Sequence, residues 1–135
     1  MSAKGEYIIT EMIKGNEIYI GAPDSVRDYM YVDDHVNSYI LAMEVEEARG
    51  QAFNVAGSEG YTNRKWVTKI SDMMNYPMDK IHFGEYPPGY PVRPIKSDQP
   101  FIILDTTKAR ETLGWTQTVS IDEGLKQTID YLKKK

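Results

Sequence analysis

The spacing of apolar residues alternates along this chain between a helical and a strand-like period. A first helix is predicted from an apolar stripe that ends at Gly15-Asn16: Ile8, Ile9, Met12 and Ile13. Residues 17–21 (EIYIG) and 29–32 (YMYV) then predict two short strands. A second helix follows from a second stripe: Val36, Tyr39, Ile40 and Met43. We expect Asp33 or Asp34 to be its N-cap and Gly50 to end it.

The second half of the chain repeats this alternation. Strands are predicted at residues 51–57 (QAFNVAG), 80–86 (KIHFGEY) and 101–104 (FIIL). The first of them is mostly apolar, which is typical of a strand buried on both faces. Thr62 is a suitable N-cap for a third helix, and Asp105 is one for a short helix that ends at Gly114. Ser120 and Glu123 have the spacing of a capping box at the start of the last helix. Trp66 and Trp115 lie in apolar patterns and are expected in the core.

The stretch between the last two predicted strands is irregular. Residues 87–100 (PPGYPVRPIKSDQP) contain five prolines, which exclude regular structure, and long irregular loops in compact domains are often functional. Tyr86 and Tyr90 flank or lie in this loop and could stack on a base or simply pack. The pattern as a whole predicts one mixed α/β domain over residues 1–135, with strands too few and short for a full doubly wound sheet.

Composition excludes several classes of function. The net charge of −4 argues against a nucleic-acid-binding domain, which usually has a basic face. The chain has no cysteine and only two histidines, His35 and His82, so we expect no disulfide and no metal centre. No apolar run approaches the roughly 20 residues of a membrane span, and no signal-peptide core is found at the N-terminus, so the expectation is a cytoplasmic protein with no membrane partner.

Five short motifs along the chain carry a family resemblance. They are RDYMYVDD (27–34), FNVAG (53–57), RPIKSD (93–98), LDTTKARETLGW (104–115) and SIDEGLKQTIDYL (120–132). Their order and spacing resemble those of the extended short-chain dehydrogenase/reductase family, the NAD(P)-dependent epimerases and dehydratases that act on nucleotide sugars. The resemblance implies the C-terminal substrate-binding region of such an enzyme, such as a UDP-glucose 4-epimerase or a GDP- or dTDP-sugar dehydratase, without the N-terminal Rossmann half.

Two segments of this chain resemble motifs of the family without matching them. Residues 57–60 (GSEG) lack the three-glycine spacing of a dinucleotide-binding turn, so we interpret them as a connection into the third helix. Tyr61 and Lys65 have the Tyr-x-x-x-Lys spacing of the family's catalytic pair. However, Tyr61 precedes the predicted N-cap, so Lys65 should not stack beneath it. The pair also follows FNVAG, whereas the family's pair precedes that strand. We therefore interpret Tyr61 as an exposed tyrosine at a helix entry. The chain is expected to carry no catalytic residue and no cofactor site, with NAD(P) expected only for the intact family.

The resemblance implies three substrate-binding residues. Arg27 and Arg93 match arginines that contact the substrate's diphosphate, and Asp98 matches a carboxylate that accepts hydrogen bonds from ribose hydroxyls. On composition alone, the favoured interpretations are an ion pair of Arg27 with Asp28 or Asp33 and a solvated loop position for Arg93. We interpret Asp28 and Asp34 as structural, Asp28 through a backbone amide or an arginine.

The function implied is the nucleotide-sugar-binding part of an NAD-dependent epimerase or dehydratase, not catalytic by itself. It could be part of a larger enzyme, a shortened gene product or one half of a split enzyme. The alternatives are a stand-alone nucleotide or nucleotide-sugar binding module and an interaction domain. Without a Rossmann half, the stripe on the second helix and the edge of residues 53–55 would be exposed, so we expect a homo-oligomer or a separate Rossmann-bearing chain to cover them.

Overall fold

The computed structural model describes residues 3–91 and 99–135, and it shows four helices joined by short strands and turns within those ranges. The helices are α1 (Ala3–Lys14), α2 (Val32–Glu44), α3 (Asn63–Met74) and α4 (Ile121–Lys134). The strands are β1 (Ile18–Ile20), β2 (Val26–Asp28), β3 (Gly60–Thr62), β4 (Ile81–Phe83) and β5 (Phe101–Ile102). Single turns of 3₁₀-helix lie at Glu46–Ala48 and Met78–Lys80, and a π-helical turn lies at Ala109–Leu113. The mixed α/β class is confirmed.

Within residues 3–91 and 99–135, the strands form two small sheets. In one, β1 and β4 pair in parallel. In the other, β2 is central, antiparallel to β3 and parallel to β5. Arg27 is the middle residue of β2 and lies opposite Tyr61 on β3 and Ile102 on β5. The three-stranded sheet therefore fixes the backbone of Arg27 from both sides.

Local capping explains where the predicted helices begin and end. The Thr62 hydroxyl accepts a hydrogen bond from the Lys65 amide at 3.1 Å at the start of α3, and Ser120 Oγ accepts one from the Glu123 amide at 3.2 Å at the start of α4. These bonds satisfy amides that the first turn of a helix leaves free. The caps predicted at Thr62 and Ser120 are confirmed. Asp105 accepts from the Thr107 amide at 2.9 Å just before the turn at Ala109–Leu113, but it is not the N-cap of that turn.

Among the described residues, two hydrophobic clusters hold these elements together. The larger joins α1, α3 and α4 to the strands, with these buried members: Ile8, Ile9, Met12, Ile18, Ile20, Tyr29, Tyr61, Trp66, Val67, Ile70, Ile81, Leu125, Ile129 and Leu132. The smaller contains Ala48, Ala109, Leu113 and Trp115, against which Phe53 and Val55 pack. Each cluster contains one of the two tryptophans, as expected for core residues.

Three predictions around α2 were wrong. The strand predicted at 29–32 is β2, which lies at 26–28, because Tyr29 leaves the sheet to stack on Trp66 and α2 already begins at Val32. The N-cap of α2 is Tyr31 and not an aspartate, and it makes no side-chain cap bond. The helix ends at Glu44, before the predicted Gly50, because a 3₁₀ turn follows it.

Residues 51–57 are not a strand either. Ala56 and Gly57 are buried and Phe53 and Val55 partly so, but the segment pairs with no other strand within the described ranges. A strand is defined by its ladder of hydrogen bonds, so an apolar run without a neighbour is not one. The stripe predicted on α2 is exposed beside this segment, with Tyr39 at 60% and Met43 at 79%.

Candidate functional site

Arg27 projects from the centre of the three-stranded sheet and is half-buried. Its Nη1 donates a hydrogen bond to its neighbour's carbonyl, Val26 O, at 2.7 Å. In the described ranges no ion pair joins Arg27 to a carboxylate, and the structure therefore does not support the ion-pair alternative with Asp28 or Asp33. A guanidinium has five N–H donors, so Arg27 has donors available for an anion.

The neighbouring aspartate is occupied elsewhere. Asp28 Oδ2 accepts a hydrogen bond from the Leu104 amide at 2.7 Å, just beyond β5. The prediction that Asp28 ties a loop through a backbone amide is confirmed.

Asp34 is structural, although it is not a cap. It is 1% exposed, and its carboxylate accepts hydrogen bonds from the Thr118 amide (2.9 Å), the Thr118 hydroxyl (2.6 Å) and the Val119 amide (2.9 Å). Its backbone carbonyl accepts a bond from Trp115 Nε1 at 2.8 Å. The carboxylate thus ties the start of α2 to the segment that leads into α4.

The loop before β2 is held by a residue that the sequence did not reveal. Asn63 is 3% exposed; its amide group donates to Ala22 O at 2.7 Å, and its side-chain oxygen accepts from the Tyr29 hydroxyl at 3.1 Å. The backbone amide of Asn63 donates to Ser25 O at 2.9 Å, and that of Arg64 to Pro23 O at 2.8 Å. The chain on both sides of Arg27 is therefore fixed to the first turn of α3, a long-range arrangement with no local sequence signal.

Tyr61 is buried at 6% exposure, so its interpretation as an exposed tyrosine was wrong. Pairing of β3 with β2 turns its ring toward Trp66, with the ring centres 6.1 Å apart. Lys65 Nζ does lie over this ring, 5.0 Å from its centre, contrary to expectation. However, burial raises the pKa of the Tyr61 phenol above its ordinary 10.0, and the hydrogen bond to Glu59 raises the pKa further. A catalytic tyrosine base needs the opposite shift of its pKa.

The other predicted site residues are not brought together with Arg27 by anything the structure describes. Arg93 and Asp98 lie outside the described residues. Tyr90 is exposed, whereas Tyr86 is half-buried and its ring covers Gly21 so closely that a side chain at that glycine would overlap it. Tyr86 is thus a packing residue, and Tyr90 remains available.

A cleft of about 630 Å³ opens between the segment that follows β5 and the segment before α4. It is lined in part by Ser58, Leu104, Asp105, Arg110 and Gln117. The described residues include no cluster of three or more histidine, aspartate or glutamate side chains able to hold a metal ion. Nor is any described helix both long and apolar enough to cross a membrane.

Comparison with known proteins decides the family. The family model described as GDP-mannose 4,6 dehydratase matches residues 6–128. The chain belongs to this family. The resemblance to the extended short-chain dehydrogenases/reductases inferred from the five motifs is confirmed by this match and by the relatives that follow.

The relatives of this family member include several nucleotide-sugar enzymes. The dTDP-4-dehydro-6-deoxyglucose reductase of Escherichia coli is 31% identical over 116 residues, 86% of this chain and 34% of the relative. The UDP-glucose 4-epimerase of Mycolicibacterium smegmatis is 32% identical over 115 residues, 85% of this chain and 34% of the relative. The Thermotoga maritima UDP-glucose 4-epimerase, solved with UDP-glucose, aligns over 98% of this chain and 40% of its own at 34% identity and a TM-score of 0.83. The chain thus spans about a third of the length of the curated relatives.

Proposed function

We propose that residues 1–135 are one substrate-binding domain, the nucleotide-sugar-binding part of an NAD-dependent epimerase or dehydratase. The observation that carries this proposal is Arg27, a half-buried guanidinium without an ion pair in the described ranges, held at the centre of a sheet whose preceding loop is fixed by hydrogen bonds. A preorganised arginine of this kind suits a diphosphate, because its planar fork can hold two oxygens at once. The similar Thermotoga maritima epimerase, which was solved with UDP-glucose, supports this ligand class.

The proposal gives three residues a role. Arg27 and Arg93 bind the diphosphate of the nucleotide sugar, and Asp98 accepts hydrogen bonds from the ribose hydroxyls. For Arg93 and Asp98 the support is their position in the RPIKSD motif. The proposal assigns no catalytic and no cofactor-binding role to this chain, and NAD(P) would be held by a Rossmann-type region of the kind found in the family. A cytoplasmic location, expected from the sequence, is part of the same proposal.

The experiment is isothermal titration calorimetry with UDP-glucose, dTDP-glucose and GDP-mannose. We expect the wild-type chain to bind at least one of them. Arg27→Ala or Arg93→Ala should each weaken that binding by about 1.5–3 kcal/mol, the range for hydrogen bonds to charged groups. Arg→Lys should recover only part of the loss, since a lysine cannot form the two-pronged contact.

Arg49→Ala is the matched control. Arg49 is an exposed arginine that does not line the cleft and pairs with Glu46 at 3.4 Å, and its removal should leave the affinity unchanged. Unchanged affinity in both Arg27→Ala and Arg93→Ala would contradict the assignment. Binding of nucleoside diphosphates without any preference for the attached sugar would favour the stand-alone nucleotide-binding module instead.

A further inference from the structure

The carboxylate of Asp28 binds a backbone amide just beyond the short pairing of β2 with β5. β2 and β5 pair over only two positions, Val26 with Phe101 and Arg27 with Ile102. The Val26 amide donates to Pro100 O at 2.9 Å at the start of this short ladder. The Leu104 amide lies two residues beyond the end of this ladder. That amide is bound by the carboxylate of Asp28, at 2.7 Å.

The carboxylate of Asp28 thereby extends the attachment of β5 beyond the two paired positions. Since β5 is two residues long, this bond at 104 is a large fraction of what fixes it against β2. A strand at the edge of a sheet that loses such a bond can slide or fray. The position of β5 in turn sets one wall beside Arg27, because Ile102 is its direct cross-strand neighbour.

We infer that Asp28 is a positioning residue for anion recognition by Arg27. It acts through the Leu104 amide, by locking β5 beside the arginine. This inference rests on the proposed function, since it takes Arg27 to bind a diphosphate.

The test is a double-mutant cycle measured by calorimetry with UDP-glucose, or with whichever of dTDP-glucose and GDP-mannose binds the wild type more tightly. Asp28→Ala should weaken binding on the order of five-fold, within the range seen for residues that act on one another. Asp28→Asn keeps an oxygen for the Leu104 amide and should stay within about two-fold of wild type. Asp28→Glu keeps the charge but moves it one carbon further, and should lose as much as Asp28→Ala.

The discriminating measurement is the same change in an Arg27→Ala background. If Asp28 acts through Arg27, Asp28→Ala should then cost less than about two-fold, because the interaction it supports is already gone. Asp130→Ala is the control: Asp130 is an exposed aspartate on α4 that does not line the cleft, and its loss should leave affinity unchanged in both backgrounds. Thermal unfolding of each variant separates this effect from general destabilisation.

The outcomes distinguish failure of the positioning role of Asp28 from failure of the proposed function. The positioning role would be overturned if Asp28→Ala lost as much affinity in the Arg27→Ala background as in the wild type. It would also be overturned if affinity were unchanged in both Asp28→Ala and Asp28→Glu. Either result would leave the role of Arg27 intact. If Asp28→Ala does not fold, Asp28→Glu supplies the same comparison. A wild-type chain that binds none of the three nucleotide sugars would overturn the proposed function, and the positioning role with it.

Discussion

Gly57 is the residue at which the segment before β3 touches the segment after β2. A Cβ built at Gly57 would overlap the carbonyl oxygen of Tyr29 and lie 2.8 Å from its carbonyl carbon. Neither partner is a flexible side-chain end, so neither can move aside at low cost. The glycine is therefore required here by the close approach of two backbones and not by its dihedral angles.

We predict that Gly57→Ala lowers the free energy of unfolding by about 2 kcal/mol or more, the range for overpacking a filled site. The measurement is chemical denaturation followed by circular dichroism. Gly50→Ala is the control, because Gly50 has a positive φ of 70° but open space around it, so the cost should be only about 1 kcal/mol of backbone strain. Equal losses in the two variants would show that the contact at Tyr29 relaxes freely.

Tyr61 gives a second prediction at this scale, in its dependence on pH. Burial and the neighbouring Glu59 raise the pKa of its phenol in the folded protein. Its stabilising contribution is therefore complete below about pH 10, the ordinary pKa of an unfolded tyrosine, and is lost as the pH rises through the folded pKa. Going from about pH 9 to about pH 11 should destabilise the wild type more than Tyr61→Phe, which has no phenol to ionise.

The measurement is the denaturation midpoint at each pH. Tyr90→Phe is the matched control, because Tyr90 is exposed and its variant should follow the wild-type curve. A wild-type curve parallel to that of Tyr61→Phe would mean that the phenol ionises as easily in the folded chain as in the unfolded one.

At the scale of elements, the helices were predictable, and β1, β4 and β5 lie within predicted strands, whereas β2 was misplaced and β3 was missed. The caps of α3 and α4 join residues three apart, such as Thr62 with Lys65, so a short stretch of sequence contains the whole signal. Strands of two or three residues depend on partners far along the chain. This is why β2 was placed three residues too late and why residues 51–57 were taken for a strand.

The candidate site divides in the same way. Arg27 was found because its residue type and motif point to an anion. Asn63 was missed because its role depends on Ala22 and Tyr29, which are 41 and 34 residues away. The contact between Asp28 and Leu104 spans 76 residues, and only its existence, not its partner, could be expected from the sequence.

The whole molecule presents an apolar face on α2. Its exposed members are Val32, Val36, Tyr39, Ile40 and Met43. Beside them Phe53 and Val55 belong to a segment that no described strand pairs with. Apolar patches of this kind and unpaired backbone are common sites of association.

We predict that the chain forms a homodimer or a higher oligomer through this face, unless a separate Rossmann-bearing chain covers it. Light scattering coupled to size exclusion should show a mass above 15.5 kDa that falls to the monomer value in Met43→Glu. Tyr7→Glu, at a tyrosine on α1 that is 63% exposed, is the control and should leave the mass unchanged. A wild type that stays monomeric at high concentration would contradict association through α2 and favour an independent binding module.

The placement of the two tryptophans has an optical consequence. Trp66 stacks on Tyr29 in the larger cluster, with the ring centres 3.9 Å apart, and its Nε1 has no hydrogen-bond partner within the described ranges. Trp115, in the smaller cluster, donates to Asp34 O. A variant that keeps only Trp66 therefore emits from the larger cluster, and one that keeps only Trp115 emits from the smaller cluster. Trp66, whose indole N–H has no partner, should emit at the shorter wavelength. Fluorescence can thus record whether the two clusters melt together as one cooperative unit or one after the other.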